Sequence, residues 1–179
     1  MDTFVTRKGP VYFKLLPKEL VYELSYYLSL DDIQQVSQIT GGFNDYYFWE
    51  NYVIHLGLIF IKPLYMINNM NNHFNWVTRI ISANEYSDRW YDDLRIKSYF
   101  EGILYLPLVP TDILFRLDID KLKNLAIGVY NVTIRCIKLS KFYLSMSYDR
   151  NNKLEIEVSE SDVRKLLVYY KYYEVTPNS

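Results

Sequence analysis

Two histidines, one cysteine and two adjacent carboxylate pairs are the residues of this 179-residue chain whose chemistry could go beyond packing. His55 and His73 lie far apart in sequence. Neither belongs to a His-Glu-x-x-His arrangement, the spacing that sets two zinc ligands on one helical face. Cys136 stands inside the alternating apolar run Val132–Ile137, where a thiol reads as a buried packing group and not as an activated thiolate. Asp31-Asp32 and Asp92-Asp93 are neighbours, but adjacent side chains on a helix or strand point in different directions, so neither pair makes an acid/base couple. Gly41-Gly42 lacks the lysine and hydroxyl residue that a phosphate-binding loop needs. The expectation is a protein that works by contact, without enzymatic chemistry, metal or cofactor.

The composition sets the frame in which these residues are held. A hydrophobic share of 50% and a charged share of 23% predict a folded domain, since disordered chains are poorer in apolar and richer in charged residues. Twenty Lys and Arg balance 21 Asp and Glu, so no net field attracts a polyanion and no nucleic-acid partner is expected. The lone Cys136 excludes an internal disulfide, which fits a reducing compartment. The first residues lack the apolar core of a secretory signal. The longest apolar run, Val53–Ile61, ends at Lys62-Pro63, far short of the roughly 20 residues that span a bilayer, so no membrane partner is expected. Cytoplasm or nucleus is the expected location. The 19 tyrosines read as half-buried core or as the codon bias of an A/T-rich genome, since Asn, Ile and Lys are also plentiful; such a bias would fit a large DNA virus or an A/T-rich eukaryotic microbe. For a viral chain the location becomes the interior of the host cell.

The elements follow from apolar spacing. Leu20, Leu24 and Leu28 recur at helical intervals after Pro17, a residue tolerated in a first helical turn. Ser29 or Asp31 is suited to cap a second helix carrying Ile33, Val36 and Ile39, which Gly41-Gly42 ends. A third helix runs from about Asn44 through Trp49 and Val53 to Leu56. The Asn-rich stretch from Tyr65 to Asn75 reads as a loop or broken helix, residues 75–81 as a short helix, and the polar aromatic region from Tyr86 to Asp93 as the softest internal boundary. Beyond Leu94 the period changes, and strands are predicted at 103–106, 114–119, 125–127, 132–137, 142–146 and 154–158. Asp149–Asn152 has the chemistry of a hairpin turn. Ser159–Asp162 starts a last helix over 163–173. Apolar residues between Leu114 and Ile127 are spaced like a leucine-rich repeat, but one or two copies cannot stack a continuous core, so ordinary strands are expected there.

Taken in order, Leu16-Pro17-Lys18-Glu19-Leu20, Leu24, Leu28, Asp32-Ile33, Val36, Ile39, Phe43 and Trp49 make a pattern that resembles the F-box family. It covers about a quarter of the chain and departs at Thr40-Gly41-Gly42, where many members carry basic residues, and in its short interval from Phe43 to Trp49. The resemblance implies a three-helix F-box-like module over 13–55; with the apolar periods downstream the expected fold is α+β, the module being followed by a helical and loop connector over 56–93 and a small, mostly antiparallel β-rich region with a C-terminal helix over 94–175. The resemblance also implies docking to a Skp-type adaptor of a cullin-RING ubiquitin ligase. The β-rich region would then recruit an unidentified protein substrate. The residues it assigns to the adaptor are Leu16, Pro17, Leu20, Leu24, Leu28, Ile33, Val36 and Trp49, while Glu19 and Asp32 cap helices or set register. A module this small cannot bury all its leucines, which is compatible with that assignment. A different reading of the same residues is a structural or scaffolding protein, of viral or cellular origin, that self-associates through its aromatic surface.

Overall fold

The computed structural model describes residues 16–40, 42–63, 67, 69–97, 101–138, 141–147 and 153–174. Gly41, the side chain of Ile39, Tyr65, the turn Asp149–Asn152 and the tail Thr176–Ser179 lie outside the described residues. The architecture is α+β, as expected, with a four-stranded antiparallel sheet. The chain divides into two compact units, residues 1–80 and 81–179.

The described residues of the first unit form three short helices, α1 (Lys18–Ser25), α2 (Leu30–Thr40) and α3 (Tyr46–His55), and the beginning of a long one, α4 (Met70–Lys97). Pro17 stands at the N-cap of α1 without a side-chain bond. Ser29 opens α2, its hydroxyl accepting from the Asp32 amide at 3.2 Å and donating to the Asp32 carboxylate at 2.7 Å. Asp45 caps α3 by accepting from the Tyr47 amide. These oxygens satisfy amides that a helix start leaves without partners. Val21, Ile33, Phe43, Phe48, Trp49, Tyr52, Val53, Ile61, Trp76, Val77 and Ile80 form the buried apolar set of this unit.

The second unit is a meander, β1 (Gly102–Pro110), β2 (Val129–Ile137), β3 (Lys141–Ser147) and β4 (Lys153–Val158), with strand order equal to chain order. Alternation along β2 and β3 sends Tyr130, Val132, Ile134, Cys136, Phe142, Leu144 and Met146 to one face. That face packs with Tyr91 and Leu94 of α4, with Ile113 and Leu114 of α5 (Thr111–Phe115), and with Val163, Leu166 and Leu167 of α6 (Glu160–Tyr173). Ser159 and Asp162 close a reciprocal capping box at the start of α6. Arg164 of α6 lies 4.0 Å over the Tyr91 ring and bonds Asp88 at 2.5 Å and Glu160 at 3.2 Å. Burial, and the Glu160 carboxylate next to its hydroxyl, push the Tyr91 pKa up to about 12.

Two expectations fail for physical reasons. Residues 114–119 and 125–127 are not strands: the chain makes α5, then a 3-10 turn at Asp120–Asn124. The buried residues there, Ile113, Leu114, Leu117 and Leu122, follow helical and not alternating spacing, and Ile127 is exposed. Short apolar runs fit both periods. The short helix at 75–81 is instead part of the 28-residue α4, which runs back over residues 70–75 and forward through 86–93. Its buried positions include Asn84 and Ser87 between Ile80 and Tyr91, so polar residues interrupt the apolar period.

Gly102 meets α4 at close quarters: a Cβ there would lie 2.2 Å from the Leu94 carbonyl oxygen. Gly102→Ala is expected to force backbone apart and to destabilise the second unit by roughly 1–3 kcal/mol, read by urea unfolding of the full chain. An unchanged midpoint would mean the contact relaxes without cost.

Candidate functional site

The described part of the first unit turns an apolar stripe outward. Val21 and Ser25 of α1 are buried, with the Ser25 hydroxyl returned to the Val21 carbonyl at 2.7 Å. Leu20 and Leu24, one helical turn apart, are each 50% exposed, and Leu16 precedes them as an exposed residue. Tyr27 continues the row at 78% exposure. Its ring stands edge-on to His55 at 5.0 Å, beside Ile54 and Leu56, which are also exposed. Charged Glu19 and Glu23 flank the leucines on α1. An uncovered leucine row on a helix is an arrangement that a partner's apolar groove can bury.

The predicted docking residues therefore separate. Leu16, Pro17, Leu20 and Leu24 are exposed, and Leu28 and Val36 are half-buried. Ile33 and Trp49 have no accessible surface and belong to the core, so in this conformation they shape the module and cannot touch a partner. The Trp49 indole donates to the Phe43 carbonyl at 2.7 Å, and the Tyr52 hydroxyl donates to the Leu28 carbonyl at 3.0 Å. The Asp32 carboxylate accepts from the Ser29 hydroxyl, which in turn caps the Asp32 amide at the start of α2.

Beside the amino end of the stripe is a recess of about 350 Å³, lined by Leu16, Lys18, Val21, Tyr22, Thr40, Gly42 and Phe43. Lys18 sits 4.9 Å over the Tyr22 ring and 3.2 Å from the Asp45 carboxylate. Tyr22 first, and Asp45 second, hold the ammonium in its charged form and raise its pKa. The pair is too exposed to contribute more than about 1 kcal/mol, so it orients Lys18 more than it stabilises the unit. Sequence reasoning missed Tyr27, Ile54, Leu56 and the Lys18–Tyr22–Asp45 cluster. The row at 20, 24 and 27 was readable as one helix face, but which face turns outward depends on tertiary packing.

The residues with chemistry of their own are placed apart. Cys136 is fully buried in the sheet. Asp93 bonds Lys97 on α4. Among the described residues no three His, Cys, Asp or Glu side chains gather as a metal site, and no helix is long and apolar enough to cross a membrane. His73 is fully buried, stacked 6.1 Å from Trp49, with Nε2 3.2 Å from the Asn44 carbonyl oxygen and Nδ1 without a partner among the described residues. Burial lowers its pKa below 6.5, and the Asn44 bond and the Asp45 charge only partly oppose this.

A scan against protein-family models, a search of curated proteins and a search of solved structures each found no match to this chain.

The depressed pKa of His73 gives a signed expectation. The folded form keeps the ring neutral, so stability is full above the ordinary histidine pKa. It falls as pH drops below that value, because the unfolded chain takes up a proton that the folded chain refuses. Thermal unfolding from about pH 7.5 to about pH 5.5 should show a falling midpoint, and His73→Gln should flatten that slope. An equal slope in the variant would assign the pH dependence to other groups.

Proposed function

We propose that the first unit docks to a Skp-type adaptor of a cullin-RING ubiquitin ligase in the manner of F-box proteins. The protein then acts inside the cell, in cytoplasm or nucleus, as a receptor that holds a protein substrate on its β-rich region. It acts by contact and carries out no chemistry of its own. The observation that supports this reading most is the exposed row of Leu16, just before α1, and Leu20 and Leu24 on it, at the positions where the F-box-like pattern begins. The capped α2, and α3 with its buried tryptophan, follow in the order that the pattern implies. Half-exposed leucines are suited as anchors, because burying the remaining half of each side chain in a partner contributes about 1 kcal/mol, half of what a fully exposed leucine would gain.

The test is a titration of the purified full chain against recombinant Skp-type adaptor. Saturable binding is expected. Leu20→Asp should weaken it by roughly 30-fold or more, since a charge in a desolvated pocket costs more than a truncation. Leu20 is half-exposed, so circular dichroism of the variant should match the wild type. A folded, monodisperse wild-type chain that shows no binding would discard the adaptor reading in favour of a scaffold.

A further inference from the structure

The two edges of the sheet are built differently. β4 carries Lys153, Glu155 and Glu157 on its exposed side, the charges with which proteins discourage strand addition at an edge. β1, at the other edge, reads Gly-Ile-Leu-Tyr-Leu-Pro-Leu-Val-Pro and has no charged residue. Ile103 and Tyr105 of β1 are each 55% exposed on the face away from the helices. Among the described residues, protection is found at its carboxyl end. The register shifts between Leu106 and Val109, Leu108 takes a φ of 55°, prolines stand at 107 and 110, and the Tyr170 hydroxyl donates to the Pro107 carbonyl at 3.3 Å. Among the described residues no backbone group pairs with the far side of Gly102–Leu106.

We infer that this edge pairs with a second copy of itself: two chains join antiparallel through Gly102–Leu106, centred on Leu104, so that Ile103 of each faces Tyr105 of the other. Face parity restricts the choice. In a continued sheet, residues directly opposite share a face, so an outward residue of one copy meets an outward residue of the other. A centre on Tyr105 would set Ile103 against Pro107 of the other copy, where proline removes a ladder donor. A centre on Ile103 would set Tyr105 against the exposed Glu101. The centre on Leu104 avoids both and makes two aliphatic–aromatic cross-strand pairs, a favourable combination. No charge in 102–110 is brought against its own copy. The assembly closes as a two-fold dimer, because the remaining edges are the charged β4 strands. This inference is independent of the adaptor reading, since it uses residues of the second unit alone.

Sedimentation velocity of the full chain over a micromolar concentration series tests it. The weight-average mass should rise toward twice the chain mass. Ile103→Glu, which places a carboxylate opposite Arg135 of the neighbouring strand, and Tyr105→Lys should each remain monomeric. An equimolar mixture of the two variants should regain the dimer, because each introduced carboxylate then faces an introduced ammonium across the new strand pair. A wild-type chain that stays monomeric throughout would overturn the proposal and leave the edge to an extended peptide of another protein. Dimers that survive in both single variants, or a mixture that fails to pair, would overturn the register. Loss of the dimer in Leu20→Asp with retention in Tyr105→Lys would move self-association to α1.

Discussion

The four residues Gly42–Asp45 hold the first unit together. Phe43 has a φ of 69°, a left-handed conformation that costs a residue with a Cβ about 1–2 kcal/mol. The turn it makes presents three successive groups to three elements. The Phe43 carbonyl accepts from Trp49 of α3, the Asn44 carbonyl meets His73 of α4, and the Asp45 carboxylate caps α3 while reaching Lys18 of α1. The Phe43 ring lies 5.4 Å from Tyr22 and 4.7 Å from Phe48, so backbone and side chain point to the same packing. The outward leucines of α1 owe their direction to this arrangement, because Val21 and Tyr22 turn toward the hub and leave the opposite face of the helix uncovered.

The second unit rests on contacts that replace covalent staples. Arg164 reaches across from α6 to Asp88 and Tyr91 of α4, and the Ser87 hydroxyl donates to the Arg164 carbonyl at 3.1 Å. At the end of α4 the absent side chain of Gly102 allows β1 to approach the Leu94 carbonyl. The Thr111 amide donates to the Gly128 carbonyl, and the Gly128 amide to the Thr111 hydroxyl. These bonds close the excursion between β1 and β2 and bring the two strands back into register.

Most elements were legible where the local period and the tertiary burial agree. The leucine spacing of α1, the Ser29 cap, the alternation of β2 and β3 and the Ser159–Asp162 start of α6 all stand in the sequence. The length of α4 was not legible, because Asn84 and Ser87 occupy inward positions and interrupt the apolar period. The α5 segment was read as strand because its apolar residues are few and fit both templates. Of the candidate site, the identity of the leucines was readable from their order, but the sorting into exposed Leu20 and Leu24 against buried Ile33 and Trp49 was not. Both groups are apolar, and only packing around Phe43 tells them apart.

A meander whose strand order equals its chain order has a consequence for synthesis. Each strand after β1 finds its neighbour already made: β2 pairs with β1, β3 with β2 and β4 with β3. The β1–β2 link, residues 111–128, is the long one and carries α5; the links after β2 and β3 are short and cost little entropy to close, so from β2 onward the ladder can grow in the direction of translation without waiting for distant sequence. The uncharged β1 edge is therefore present from the first pairing onward, while the charges of β4 arrive last, as the growing side of the sheet is completed.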